Sequence, residues 1–248
     1  MHGSVAACSL CAIRQSSVCG SLTRIELSDL GHMARHKHIR AGRVIVAEGT
    51  CPDFFGNIIS GIVKLTKTLA DGRQLTVGLQ FPPDFVGRPY APQSPHQVQA
   101  ATDVTLCTFE KTRFERLLKT RPGVEHRLLE HKLDELDAAQ EWMLLLARKS
   151  AAEKVASFLL MLCRRTGPTL FTTDAIPPMS ARFELLLTRA DIGDYLGLTL
   201  ETVSRHMTRL KTQGIIQIGD KQRVLVPDVR RLAEAGAVAE HAICREER

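Results

Sequence analysis

The chain has 248 residues, a formal net charge of +6 and a pI near 9.1. That length supports one large domain or two smaller ones with real cores, and the basic balance points toward phosphate backbones or anionic surfaces as partners. No apolar run reaches the roughly 18–20 residues that a membrane span requires, and an odd count of 7 cysteines speaks against a disulfide framework.

Residues 1–20 form a Cys- and Ser-rich leader. Val5-Ala6-Ala7-Cys8 has the look of a lipoprotein cleavage box. It lacks the basic and apolar stretches of a signal peptide, so a cytoplasmic location is expected. Cys8, Cys11 and Cys19 cluster in this leader, which is too short to have much core of its own.

From 21 to 38, Leu22, Ile25, Leu27, Leu30 and Met33 suggest a short helix, with Ser28-Asp29 near its start. Short β-like runs follow at Arg43–Ala47, Asn57–Leu69, Gln74–Phe81, Val98–Ala101 and Val104–Phe109. Ala41-Gly42, Glu48-Gly49, Ser60-Gly61 and Asp71-Gly72 punctuate them, and Asp71-Gly72 is a hairpin signal. Such runs predict a small antiparallel barrel or sandwich. Residues 82–97, with Pro82, Pro83, Pro89, Pro92 and Pro95, are expected as a loop on that sheet.

A long helix is predicted from Pro122 to Leu146. Leu129, Leu133, Leu136, Gln140, Met143 and Leu146 make a narrow seam, of the kind that joins two helices. Packing on the chain's own sheet is the alternative. Acidic residues dominate the same helix: Glu125, Glu130, Asp134, Glu135, Asp137 and Glu141 against Arg127 and Lys132. A compact helical domain is expected beyond Lys149, opening with an amphipathic helix at Ala152–Arg164 and a polar, Pro-containing stretch at Thr166–Arg182.

Its ending is the most specific feature. Thr188–Thr199 reads as one short helix and a turn, with Gly197 where the chain must turn tightly, and Leu200–Leu210 as a second helix with Thr199 as its N-cap. Ile192, Leu196, Leu198, Val203, Met207 and Leu210 would lock the two together. The second helix then presents Glu201, Ser204, Arg205 and Thr208 outward, where a recognition helix meets base edges in the major groove. Arg205 suits bidentate binding of guanine and Glu201 suits a cytosine amino group, while Arg209 and Lys211 suit phosphates. An ordinary helical hairpin with solvated charges would show the same pattern. Residues 214–226 argue against it, because Gly214–Ile218, Asp220-Lys221-Gln222 and Arg223–Val226 read as a β-hairpin wing.

This arrangement, above all Asp191–Arg205, resembles the CRP/FNR family of bacterial transcription regulators over nearly the whole chain. The resemblance implies an α+β protein: a leader at 1–20, a cyclic-nucleotide-binding-like antiparallel β-roll sensor at 21–120, a dimerisation helix at 121–147, and a winged helix-turn-helix at 148–248. Glu201, Ser204 and Arg205 resemble the signature of the FNR branch, whose members read palindromic TTGAT half-sites. Cyclic-nucleotide receptors of the family use a Gly-Glu pair and an Arg, where this chain has Gly87-Arg88 and Gln99. Without that cation the cyclic phosphate would lose its charge-assisted hydrogen bonds, so no cyclic nucleotide is expected.

Cys8, Cys11, Cys19 and Cys107 resemble the ligands of oxygen-sensing FNR proteins, with a Cys11–Cys19 gap like that of alphaproteobacterial members. The resemblance implies a [4Fe–4S] cluster, a homodimer that binds double-stranded DNA when anaerobic, and a contact of Gly87–Ser94 with RNA polymerase. Four thiolates also suit a [2Fe–2S] cluster or zinc, and cysteines without metal remain an alternative. Cys51 is the rival fourth ligand, Cys163 reads as core and Cys244 as tail, and His36 and His38 read as surface residues. A redox enzyme with a DNA-binding tail is the remaining class, but no nucleophile–base pair or phosphate loop supports it.

Overall fold

A computed structural model describes residue 8 and residues 10–166 and 180–238. Its contacts divide the chain into two compact units, Met1–Ala139 and Gln140–Arg248, with the division falling inside the long helix. Cys244 and most of the Pro-containing stretch at 166–182 lie outside the described residues.

In the first unit a 3-10 turn, Val18–Ser21, leads into α1 (Arg24–Met33). The helix begins at Thr23 rather than at Ser28-Asp29. Thr23 and Glu26 form a reciprocal capping box, which satisfies two otherwise orphaned N–H groups. It also ends early, because Arg35–Ile39 is already strand β1. The remaining strands are β2 (Val44–Val46), β3 (Phe54–Ser60), β4 (Val63–Thr68), β5 (Gln74–Gln80), β6 (Phe85–Val86), β7 (Gln97–Ala100) and β8 (Val104–Glu110). They form two antiparallel four-stranded sheets, ordered β1-β8-β3-β6 and β2-β7-β4-β5.

The single run expected at 57–69 is two strands. Gly61 breaks it with φ of +88°, where a Cβ would sit 2.2 Å from the Asp103 carbonyl oxygen. The hairpin at Asp71-Gly72 forms as expected, with Leu69 N–H donating to the Arg73 carbonyl at 2.8 Å.

Alternation along β3 and β8 sends side chains to two cores. Ile58, Val104 and Leu106 join Val46, Val63, Val86, Val98 and Ala100 inside the roll. Phe55, Cys107 and Phe109 face the other way, into a second core with Leu27, Leu30, Phe85 and the helices α2 (Lys111–Thr120) and α3 (Pro122–Arg148). Helix α2, which the sequence reading does not anticipate, supplies Phe114, Leu117 and Leu118, and Phe114 stacks on Phe85 and Phe109.

Only the N-terminal turns of α3 are buried, through Val124 and Leu128. Lys132 Nζ then donates to the Phe85 carbonyl at 3.2 Å and pairs with Glu135 at 2.9 Å. Along the expected seam Leu129, Leu133, Leu136 and Met143 are 51–55% exposed, Gln140 is exposed and Leu146 is half-buried. Arg127–Glu130 and Lys132–Glu135 pairs neutralise part of the acidic surface.

The second unit contains the end of α3, α4 (Ala151–Thr166), β9 (Ala181–Glu184), α5 (Arg189–Leu196), α6 (Leu200–Thr212), β10 (Gln217–Ile218), β11 (Arg223–Val226) and α7 (Val229–Ala235). Helix α4 buries Val155, Phe158, Leu159, Leu162 and Cys163. The β10-β11 hairpin gains a third strand, β9, in the order β10-β11-β9. Trp142, near the end of α3, stacks on Tyr195 of α5 with ring centroids 5.5 Å apart and donates Nε1–H to the Tyr195 carbonyl. Among the described residues no helix is long and apolar enough to cross a membrane.

Candidate functional site

Two arrangements carry chemistry. The first lies on the outer face of the β1-β8-β3-β6 sheet. Cys107 sits mid-strand on β8, opposite Asn57 of β3 and His36 of β1. Apart from Asn57 it packs among apolar side chains such as Phe55, Phe85 and Phe109, and it is 8% exposed. Leader residue Val18 and Leu22 just after the leader join this core, and Cys8 and Cys19 pack against it. Ser17 holds the leader's turn: its buried hydroxyl accepts from Cys19 N–H and donates to the Arg14 carbonyl.

Burial pushes the Cys107 thiol well above the usual range, and the nearby Cys19, Cys8 and Cys11 push it the same way. The Cys19 thiol is raised to about 11, mainly by burial, while hydrogen bonds from Ser17 and Asn57 pull it back. Cys8 is raised by burial and by Cys11. Cys8 and Cys19 pack against the core that holds Cys107, and Cys11 follows Cys8 by one turn, its N–H donating to the Cys8 carbonyl at 3.4 Å. Cys51 lies elsewhere, exposed, with Lys111 Nζ 3.5 Å from its sulfur. Cys163 is a core residue of α4. His36 and His38 are exposed.

Thiol sulfurs, an apolar wall and one N–H donor on a sulfur are the kinds of partner that an iron–sulfur group takes. Among the described residues no three or more His, Cys, Asp or Glu side chains stand close enough to share a single metal ion. The thiols are gathered but not closed on one point.

Asn57 is the residue that the sequence reading misses. It is 1% exposed and donates Nδ2–H to Cys19 Sγ at 3.6 Å. The available signal is an Asn inside the run Phe54–Ile59, where both faces of a central strand are covered.

The second arrangement is the helix-turn-helix. Thr188 caps α5 in a box with Asp191, Gly197 ends it in the left-handed region with φ of 63°, and the Thr199 hydroxyl accepts from Thr202 N–H to start α6. Gly193 allows the close approach of the turn, since a Cβ there would meet the Leu198 carbonyl oxygen at 2.6 Å. Ile192, Leu196, Val203, Met207 and Leu210 close the seam, and Leu198 is half-buried.

Opposite that seam Glu201, Arg205, Thr208, Arg209 and Lys211 are exposed and Ser204 is half-buried. The Thr208 hydroxyl donates to the Ser204 carbonyl at 3.0 Å, which leaves its oxygen free to accept. Glu201 is held below the usual carboxylate range by its own backbone N–H and by Thr199, so it stays an acceptor. Burial, then the charges of Arg205 and Arg209, hold His206 below the usual imidazole range. The result is a compact helix with one acid near its start and cations farther along, in front of a three-stranded wing.

A β-roll, a long helix and a winged helix-turn-helix together define a DNA-binding regulator. Residues 36–121 match the model of the cyclic nucleotide-binding domain, and residues 153–235 match the Crp-like helix-turn-helix domain. A "Probable transcriptional activator" of Rhizobium leguminosarum bv. viciae is 43% identical over 93% of both chains. The "Transcriptional activator protein FnrL" of Cereibacter sphaeroides is 44% identical over 92% of this chain and 90% of that one. The solved structure of FixK2 from Bradyrhizobium japonicum superposes with a TM-score of 0.73 at 31% identity, covering 83% of this chain and 98% of that one. The chain belongs to the CRP/FNR family of transcription regulators, and these relatives give no support to the enzyme reading.

Proposed function

We propose that the chain is a cytoplasmic, homodimeric transcriptional activator that responds to oxygen through a [4Fe–4S] cluster held by Cys8, Cys11, Cys19 and Cys107. One observation carries this reading: Cys8 and Cys19 of the leader pack against the buried core that holds Cys107. A bound cluster would supply an oxygen-sensitive link between leader and sheet. The protein's own part is to anchor that link on the core of Phe85 and Phe109, where Cys107 is buried and Cys8 and Cys19 pack.

The exposed stripe Leu129, Leu133, Leu136 and Met143, with Gln140 and Leu146, supports pairing of two α3 helices. Such a dimer would present two copies of α6 to a palindrome. In this reading Glu201, Ser204, Arg205 and Thr208 meet base edges of TTGAT-type half-sites, and Arg209 and Lys211 meet phosphates. The chemistry of Arg88, which is exposed, and of Gln99, whose amide is spent on the Gly42 carbonyl, disfavours a cyclic nucleotide. The exposed part of the Gly87–Ser94 loop is the proposed contact with RNA polymerase.

The test is anaerobic purification followed by iron, acid-labile sulfide and zinc analysis. About four irons and four sulfides per chain are expected, as for a cubane held by four thiolates. Stoichiometric zinc without sulfide sinks the proposal.

A further inference from the structure

We infer that Asn57 is a positioning residue for the cluster, holding the Cys19 sulfur by an N–H···S hydrogen bond. The inference rests on the cluster reading above.

Asn57 occupies the middle of β3, opposite Cys107 on one side and Phe85 on the other. Both of those side chains belong to the outer core, so the register directs the carboxamide into apolar surroundings. A primary amide in such a place is costly unless its polar atoms find partners. Among the described residues one end has a partner and the other does not. Nδ2 donates to Cys19 Sγ at 3.6 Å, whereas Oδ1 is fully buried and finds no hydrogen-bond partner among them. A leucine would fill the space without leaving an orphaned oxygen, so packing alone does not account for an amide here.

The bond also has a direction. The N–H dipole points its positive end at sulfur and so favours negative charge there. The same dipole stabilises negative charge on any metal-bound sulfur, and hydrogen bonds to sulfur are one of the levers that set iron–sulfur potentials. Asn57 is therefore expected to favour the reduced, more negative state of the bound group.

The experiment uses full-length protein, reconstituted anaerobically, as wild type and as Asn57→Leu. Iron, sulfide and the melting temperature of the metal-free protein are measured first, and a redox titration follows. The leucine variant should melt no lower than wild type and take up the same iron and sulfide. Its equilibrium constant for reduction should fall roughly three- to tenfold, the worth of one hydrogen bond. If it fails to load, Asn57→Ala, smaller and likewise without a donor or a charge, is titrated instead and the same fall is expected. A wild-type potential in a loaded variant overturns the role of Asn57 and leaves the cluster reading standing. Zinc without sulfide in the wild type overturns both.

Discussion

The leader that carries three thiols and the helix-turn-helix that carries the proposed DNA-reading residues are both short, and they are held by different means. In the helix-turn-helix every device is internal. Thr188 and Thr199 cap the two helices, Gly197 reverses the chain, and Ile192, Leu196, Val203, Met207 and Leu210 close the seam. Its outer face is left free to be specialised for a ligand without cost to the fold. Among its described residues the leader buries only Ile13 and Val18 of its larger apolar side chains, and it fastens itself to the sheet through Cys8, Cys19 and the Asn57 bond. A segment of this kind draws its stability from what it binds, so binding and local order become one equilibrium.

The sharpest way to break this comparison is to remove a thiol. Cys107→Ser should abolish retention of iron and sulfide under anaerobic conditions, because a hydroxyl is a poor soft-metal ligand. Cys51→Ser should keep both. The reverse pattern would move the fourth ligand to Cys51 and break the link between leader and sheet. In both variants circular dichroism of the winged helix should be unchanged, since its packing is its own.

A smaller effect is expected on the reading face. Arg205→Ala should cost about 1–3 kcal/mol per half-site on cognate DNA and flatten preference at one guanine. Lys211→Ala should weaken all sequences alike and make the salt dependence shallower by about one counterion per site. Competition titrations across single-base variants at two salt concentrations distinguish the two. Equal loss on cognate and scrambled DNA for Arg205→Ala would make it a phosphate contact. The smallest effect tests the internal packing. Gly193→Ala should lower the stability of the second unit by about 1–3 kcal/mol through collision with the Leu198 carbonyl, read as a shifted denaturation midpoint with metal loading intact.

The same contrast decides what was legible in the sequence. Caps, glycines and apolar periodicity are local signals, so α5, the turn and α6 could be placed to within a residue or two. Strand β1 could not, because Arg35–Ile39 is exposed along almost its whole length and shows no alternation. Strand β9 is four residues long and adjoins a Pro-containing stretch, and its role appears only when it pairs with β11. Helix α2 follows β8 without a break, so no turn residue announces it. At the thiol site the cysteines could be named from resemblance. The neighbourhood of Cys107 and the burial of Asn57 depend on the register of β3 against β8 and β6, a long-range property that one strand does not carry alone.

The stack of Trp142 on Tyr195 gives the protein a built-in optical gauge. Trp142 is the 1 tryptophan in the chain, so all indole fluorescence comes from the place where the end of α3 meets α5. Its ring is half-buried and its N–H is held by the Tyr195 carbonyl. Loss of that bond would expose the indole to water and shift its emission to the red. Admitting oxygen or adding DNA to unlabelled protein should therefore report, in real time and without a probe, whether this joint stays shut while the rest of the molecule changes state.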